Sequence, residues 1–329
     1  YRRRMTSISQ AAFTVVSGVL AALVLGLGDP AVSAGYKVPR TASGQPDLQG
    51  AWSIASLTTL ERPAALTTLV VSEAQAKAFE ATQDGTPNIP DDVTGQKQSE
   101  WWDRGAKLAR LGGQIRSSWL IDPADGRLPY SPAGAGALQA AQAASVSDFD
   151  NPESRPTTER CLMGPHGSTG APLQNTSYSN FYQVVQTADY VVIAAEMNHD
   201  VRIIPLNATA SPSAARSWSG ASVGRWEGDT LVVETSRFAE GSGWRAPGRL
   251  YLSPNARVTE RFTRTSPTEI RYEYAVDDPA MFTRVWRGEM PMTRTTAPIY
   301  EFACHEGNYS LSGTLAGGRR KEHEARAAK

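Results

Sequence analysis

Short runs in which apolar and polar side chains alternate fill the second half of this chain, and each run is cut off by Gly, Pro, Asp, Asn or Ser. Period-two alternation puts one set of side chains on each face of a strand, and a short polar break between two such runs marks a hairpin. Residues 181–186 and 190–196 flank Thr187-Ala188-Asp189, 224–226 and 230–235 flank Glu227-Gly228-Asp229, and 257–264 and 269–276 flank the Ser266-Pro267-Thr268 turn. Further strands are predicted at 201–206, 283–290 and 299–304. Strands so closely spaced, with no helix between them, pair antiparallel with their neighbours and curl until their edges meet. The expected fold is therefore mainly β, an antiparallel meander closing into a lipocalin-like barrel of about eight strands with room for one small ligand.

The first half carries a different period. Asp47 to Trp52 reads as a first strand after an extended Pro- and Gly-punctuated arm. The Ala- and Glu-rich run 72–79 predicts a helix with Ser72 as its N-cap, and a second helix is predicted near 137–144. Between them, Trp119-Leu120-Ile121 reads as a strand ending in the Asp122-Pro123-Ala124-Asp125-Gly126 turn. This predicts a helical insertion at about 61–144 within a single barrel domain spanning 35–316, followed by a polar tail at 317–329 that reads as a frayed helix.

Composition narrows the class of partner. The 33 basic and 33 acidic side chains cancel, which disfavours nucleic acid or another polyanion as partner. Arg2 to Arg4, the apolar run 11–27 and Val32-Ser33-Ala34 together form an n-region, h-region and cleavage site, so 1–34 is predicted to be a signal peptide and the mature protein to be periplasmic or extracellular. After cleavage no segment is long and apolar enough to span a bilayer as a helix. In an oxidising compartment the only two cysteines, Cys161 and Cys304, are predicted to form one disulfide.

The phrases GQPDLQGAW, PTTERCL, AAEMNHDVRIIPL, GRWEGDTLVVETSRF, VTERFTRTSPTEIRYEYAVDDPAMFTRVW and YEFACHEGNY cover nearly all of the mature chain. They resemble those of a large family of exported bacterial proteins with a β-barrel core. The resemblance implies export and a barrel. Ala221 and Val223 depart from the acidic and basic residues expected at those two positions of the family phrase.

Candidate chemistry concentrates where strands are predicted to end. His199 follows Glu196, and His305 stands beside Glu306 just past Cys304. An imidazole held by a carboxylate moves protons near neutral pH, so these four are the candidate catalytic residues. Strand neighbours point to opposite faces, so any such pairing has to be made across strands. Arg202, Trp226, Asp229, Tyr300 and Tyr309 are candidate ligand contacts, although turn chemistry alone explains Trp226-Glu227-Gly228-Asp229-Thr230. Phosphate-loop and dinucleotide fingerprints are missing, as are H-x-H, H-E-x-x-H and paired C-x-x-C, so no cofactor and no metal is expected. The leading expectation is a cofactor-free lyase, hydratase or isomerase acting on a largely apolar small molecule. A non-catalytic lipocalin-like binding protein is the alternative, and a metal-dependent oxygenase or hydrolase is the third.

Overall fold

The computed structural model describes residues 36–83, 103–164, 170–208, 215–240, 244–246 and 250–328. The predicted signal peptide and part of the predicted insertion, 84–102, lie outside these residues.

The alternating runs fold into a nearly closed antiparallel barrel. Strand β1 (Gly50–Ser53) opens the sheet. Two strands, β2 (Val70–Val71) and, after α1 (Glu73–Ala81), β3 (Arg110–Leu111), pair with β4 (Gln114–Arg116) in a separate small sheet ordered β2-β4-β3. Strand β5 (Leu120–Asp122) pairs back onto the barrel, and α2 (Pro132–Ser147) follows it. The barrel wall then continues through β6 (Phe181–Gln186), β7 (Tyr190–Ala195), β8 (Val201–Pro205), β9 (Ala221–Glu227) and β10 (Thr230–Ser236). A small hairpin of β11 (Trp244–Ala246) and β12 (Leu250–Tyr251) intervenes before β13 (Arg257–Ser266), β14 (Glu269–Asp277) and β15 (Trp286–Arg294), and α3 (Ser310–Ala327) ends the chain.

Around the wall the order is β8-β7-β6-β1-β15-β14-β13-β10-β9, with β5 an extra strand on β15. The two ends of that order meet through the parallel bridge Leu206 to Gly224 and the 2.8 Å bond from the Asn207 N–H to the Gly224 carbonyl. Gly224 stands there because an added Cβ would lie 2.9 Å from the Ile204 Cγ2 across the seam.

Three differences from the sequence reading follow from tertiary pairing. The 61–144 stretch contributes, besides α1, the start of α2 and the expected strand β5, a small three-stranded sheet that its periodicity does not predict. The last barrel strand runs from Trp286 to Arg294, shifted from the predicted 283–290 by full antiparallel pairing with β14. The C-terminal helix begins at Ser310, before the predicted tail, and it buries Leu315 and Gly318. A Cβ on Gly318 would lie 2.5 Å from that of Phe149, so the glycine lets the helix approach closely.

Bulky side chains fill the barrel interior. Tyr182, Leu231, Val233, Phe262, Ile270, Tyr272, Met290 and Met292 are buried in one continuous core. Arg202 on β8 reaches across to Glu260 on β13, with Nη2 to Oε2 at 2.5 Å and Nη1 to Oε1 at 3.0 Å. The chain around 171–174 packs over the same core: Ala171 and Leu173 are fully buried, and the Leu173 N–H donates to the Tyr272 hydroxyl at 2.9 Å. The space expected to hold a ligand is thus occupied by the protein's own side chains, and the cavity nearest the candidate residues lies beside the wall.

Candidate active site

Cys161 and Cys304 are joined by a disulfide with their Cα atoms 5.7 Å apart, as the cysteine count predicts. The bridge and the Asn308 side chain, which donates to the Glu159 carbonyl at 3.3 Å, hold the segment after β15 against residues 159–161. That segment is not the strand predicted at 299–304. The backbone N–H of Tyr300 donates instead to the Glu196 carboxylate at 3.2 Å, and Tyr309 leads directly into α3. An apolar run needs a free neighbouring edge to become a strand, and here a carboxylate takes the place of an edge.

Glu196 follows β7, and its backbone N–H bonds back to the Phe181 carbonyl at 2.9 Å. This fixes the residue just beyond the strand, where its carboxyl turns into a cavity of about 680 Å³. Asp103, Tyr178, Tyr300 and Phe302 line the same cavity, and the rings of Tyr178 and Phe302 lie parallel with centroids 6.2 Å apart. Asp103 is held by its own N–H to the Ser177 carbonyl and by Asn180, whose Nδ2 donates to the Asp103 carbonyl at 2.8 Å. Asp103 Oδ2 is buried with no hydrogen-bond partner.

Burial raises both carboxyls above the ordinary carboxylate range. For Glu196 the Tyr300 N–H and the Ser179 hydroxyl oppose the rise, and the charge of Asp103 adds to it. Burial likewise raises the Tyr178 phenol, which keeps it a hydrogen-bond donor. The cavity therefore presents two carboxyls, both raised by burial but with different hydrogen-bond surroundings, beside two aromatic rings.

The other sequence candidates are placed as follows. His199 ends a single turn of 3-10 helix after Glu196, at positive φ, and is exposed. His305 and Glu306 are exposed beside the disulfide, and Glu306 lines a shallow neighbouring cavity with Cys304. Neither imidazole has a side-chain hydrogen bond or a carboxylate at ion-pair distance among the described residues, so neither has the partner that would fix its tautomer. Arg202 is buried and committed to Glu260, Ser222 and Thr235 inside the barrel. Asp229 sits in the β9–β10 turn, at the barrel end away from Glu196, paired with Arg40 at 2.5 Å. Trp226 packs against the barrel core. Tyr300, though 68% exposed, lines the cavity, and Tyr309, 82% exposed, does not.

Of the predicted residues, the fold brings Glu196 and Tyr300 to one cavity. Sequence reasoning missed Asp103, Tyr178 and Phe302. The available signal was an acid directly after Trp101-Trp102, where aromatic neighbours foretell burial of a charged group. Among the described residues no three His, Cys, Asp or Glu side chains gather as a metal-binding group. No family model, curated protein or solved structure matches the chain.

Proposed function

We propose that this is an exported, cofactor-free enzyme of the lyase, hydratase or isomerase kind, which moves a proton on a largely apolar, ring-bearing small molecule packed against Tyr178 and Phe302. The observation that carries the reading is the pair of carboxyls raised by burial in one aromatic-walled cavity. Convergent titratable groups with perturbed pKa values in a cleft are the usual mark of acid/base chemistry. In this reading Glu196, whose ionised form accepts from the Tyr300 N–H and the Ser179 hydroxyl, is the general base. Asp103, whose buried Oδ2 has no hydrogen-bond partner to stabilise a charge, holds its proton and acts as the general acid. The disulfide fits the oxidising compartment that the signal-like N-terminus predicts, and the phrases shared with exported barrel proteins point the same way.

The test begins with the molecule that travels with the protein. Extraction of the purified chain and mass spectrometry should return an apolar, ring-bearing compound, and its turnover should fall by about 100-fold or more in Asp103→Asn and in Glu196→Gln, with binding kept. The pH–rate profile should show at least one limb above the ordinary carboxylate range. A ligand recovered unchanged after prolonged incubation with the wild type would favour a binding protein of lipocalin kind.

A further inference from the structure

A second cavity, of about 620 Å³, lies between α2 and the segment that precedes Cys161, within the size range of small-ligand sites. Its walls include Ala141 and Ala144 of α2, Pro156, Trp218 and Tyr251, so most of the surface it offers is apolar. Four charged residues line it: Arg155, Arg160, Glu153 and Glu240.

These charges are not equivalent. Arg155 is saturated, because its Nε and Nη2 each donate to Glu159 at 2.9 Å, its Nη1 donates to the Asp148 carbonyl at 2.8 Å, and its guanidinium lies over the Phe149 ring. Arg160 makes one long 3.4 Å bond to the Glu153 carbonyl and lies 5.8 Å from the centroid of the Trp218 ring. No described carboxylate is within ion-pair distance of it, and the carboxylates of Glu153 and Glu240 are likewise in no ion pair. One open guanidinium and two open carboxylates thus border one apolar hollow.

We propose that this cavity is a second binding site and that it takes a zwitterion with an apolar body: an apolar amino acid or a short apolar peptide. A guanidinium fork matches a carboxylate in two parallel hydrogen bonds, and the free acids match an ammonium. The apolar body lies on Trp218, Tyr251 and the alanine face of α2. A simple anion would face two carboxylates for one arginine, and a simple cation would face the arginine, so each would be desolvated against a like charge. The zwitterion avoids both costs. The inference does not depend on the carboxyl pair at Glu196.

The experiment is calorimetric titration of the intact, disulfide-bonded protein with leucyl-phenylalanine, its N-acetyl form, which lacks the ammonium, and its C-terminal amide, which lacks the carboxylate. The free dipeptide should bind at least about 10-fold more tightly than either capped form, as expected for loss of a charge-assisted contact. Arg160→Gln should remove the advantage over the amide and leave the affinity of the amide unchanged. Trp218→Leu should weaken all three ligands. Equal affinity for free and capped forms, no binding of leucyl-phenylalanine at millimolar concentration, or full affinity in both variants would overturn the proposal. The capped ligands test the charges on the unaltered protein, so a variant that misfolds does not decide the result.

Discussion

At the scale of single residues, the contrast between Arg202 and Glu196 shows what a side chain's type leaves open. Arg202 stands on an alternating strand and reads as a ligand contact, yet β8 turns it inward to Glu260, where Tyr272 donates to the same carboxylate at 2.7 Å. Burial pushes the Tyr272 phenol well up, so it remains a donor there. Removing one partner of such a pair strands the other charge in the core, and Glu260→Gln should cost about 3–5 kcal/mol in urea unfolding. The double change Arg202→Met with Glu260→Leu should recover most of that loss, because well-packed apolar residues replace a buried pair at little cost. A double variant less stable than Glu260→Gln alone would show that the pair holds the barrel together. The histidines show the converse. They are the residues sequence reasoning reaches for first, but both imidazoles stand exposed without a carboxylate partner among the described residues, whereas burial raises the carboxyl of Glu196.

At the scale of elements, the hairpins were legible and the terminal segment was not. Turn residues and period-two alternation locate β6–β7 and β13–β14 to within two residues and place the β9–β10 turn, although β9 begins three residues before its predicted start, because both signals are local. The run 299–304 has the composition of a strand but reaches no open edge, and its shape is set by a disulfide and one N–H to Glu196. Cys304→Ser should therefore lower stability by about 2–5 kcal/mol. It should also release the wall formed by Tyr300 and Phe302, seen as a loss of protection from hydrogen exchange confined to 297–309. Reduction of the wild type should reproduce both effects and add nothing to the variant. Two free thiols per denatured, unreduced chain would remove the premise.

At the scale of the whole molecule, several buried carboxyls bias the fold toward acid. Asp103, Glu196 and Glu273 are all raised, chiefly by burial. Between the unfolded carboxylate range and these raised folded values the native state binds more protons than the unfolded chain. Stability contributed by these groups is therefore present at low pH and is lost as pH rises through that window. Melting temperature should fall from these groups as pH rises from about 4.5 upward, and Glu273→Gln should flatten the slope. An unchanged slope in Glu273→Gln would show that this carboxyl ionises as freely in the folded state as in the unfolded one.

The sequence by itself determined the hairpins β6–β7, β9–β10 and β13–β14, the N-cap of α1, the mainly β class and the covalent link, because each depends on neighbours along the chain or on a count of two cysteines. Only the tertiary structure decided that the barrel is filled, that Arg202 is a core residue, and that Asp103 joins Glu196 at one cavity. Those outcomes turn on which distant groups share a desolvated space, and a pattern with a period of two or four residues carries no record of contacts made across ninety.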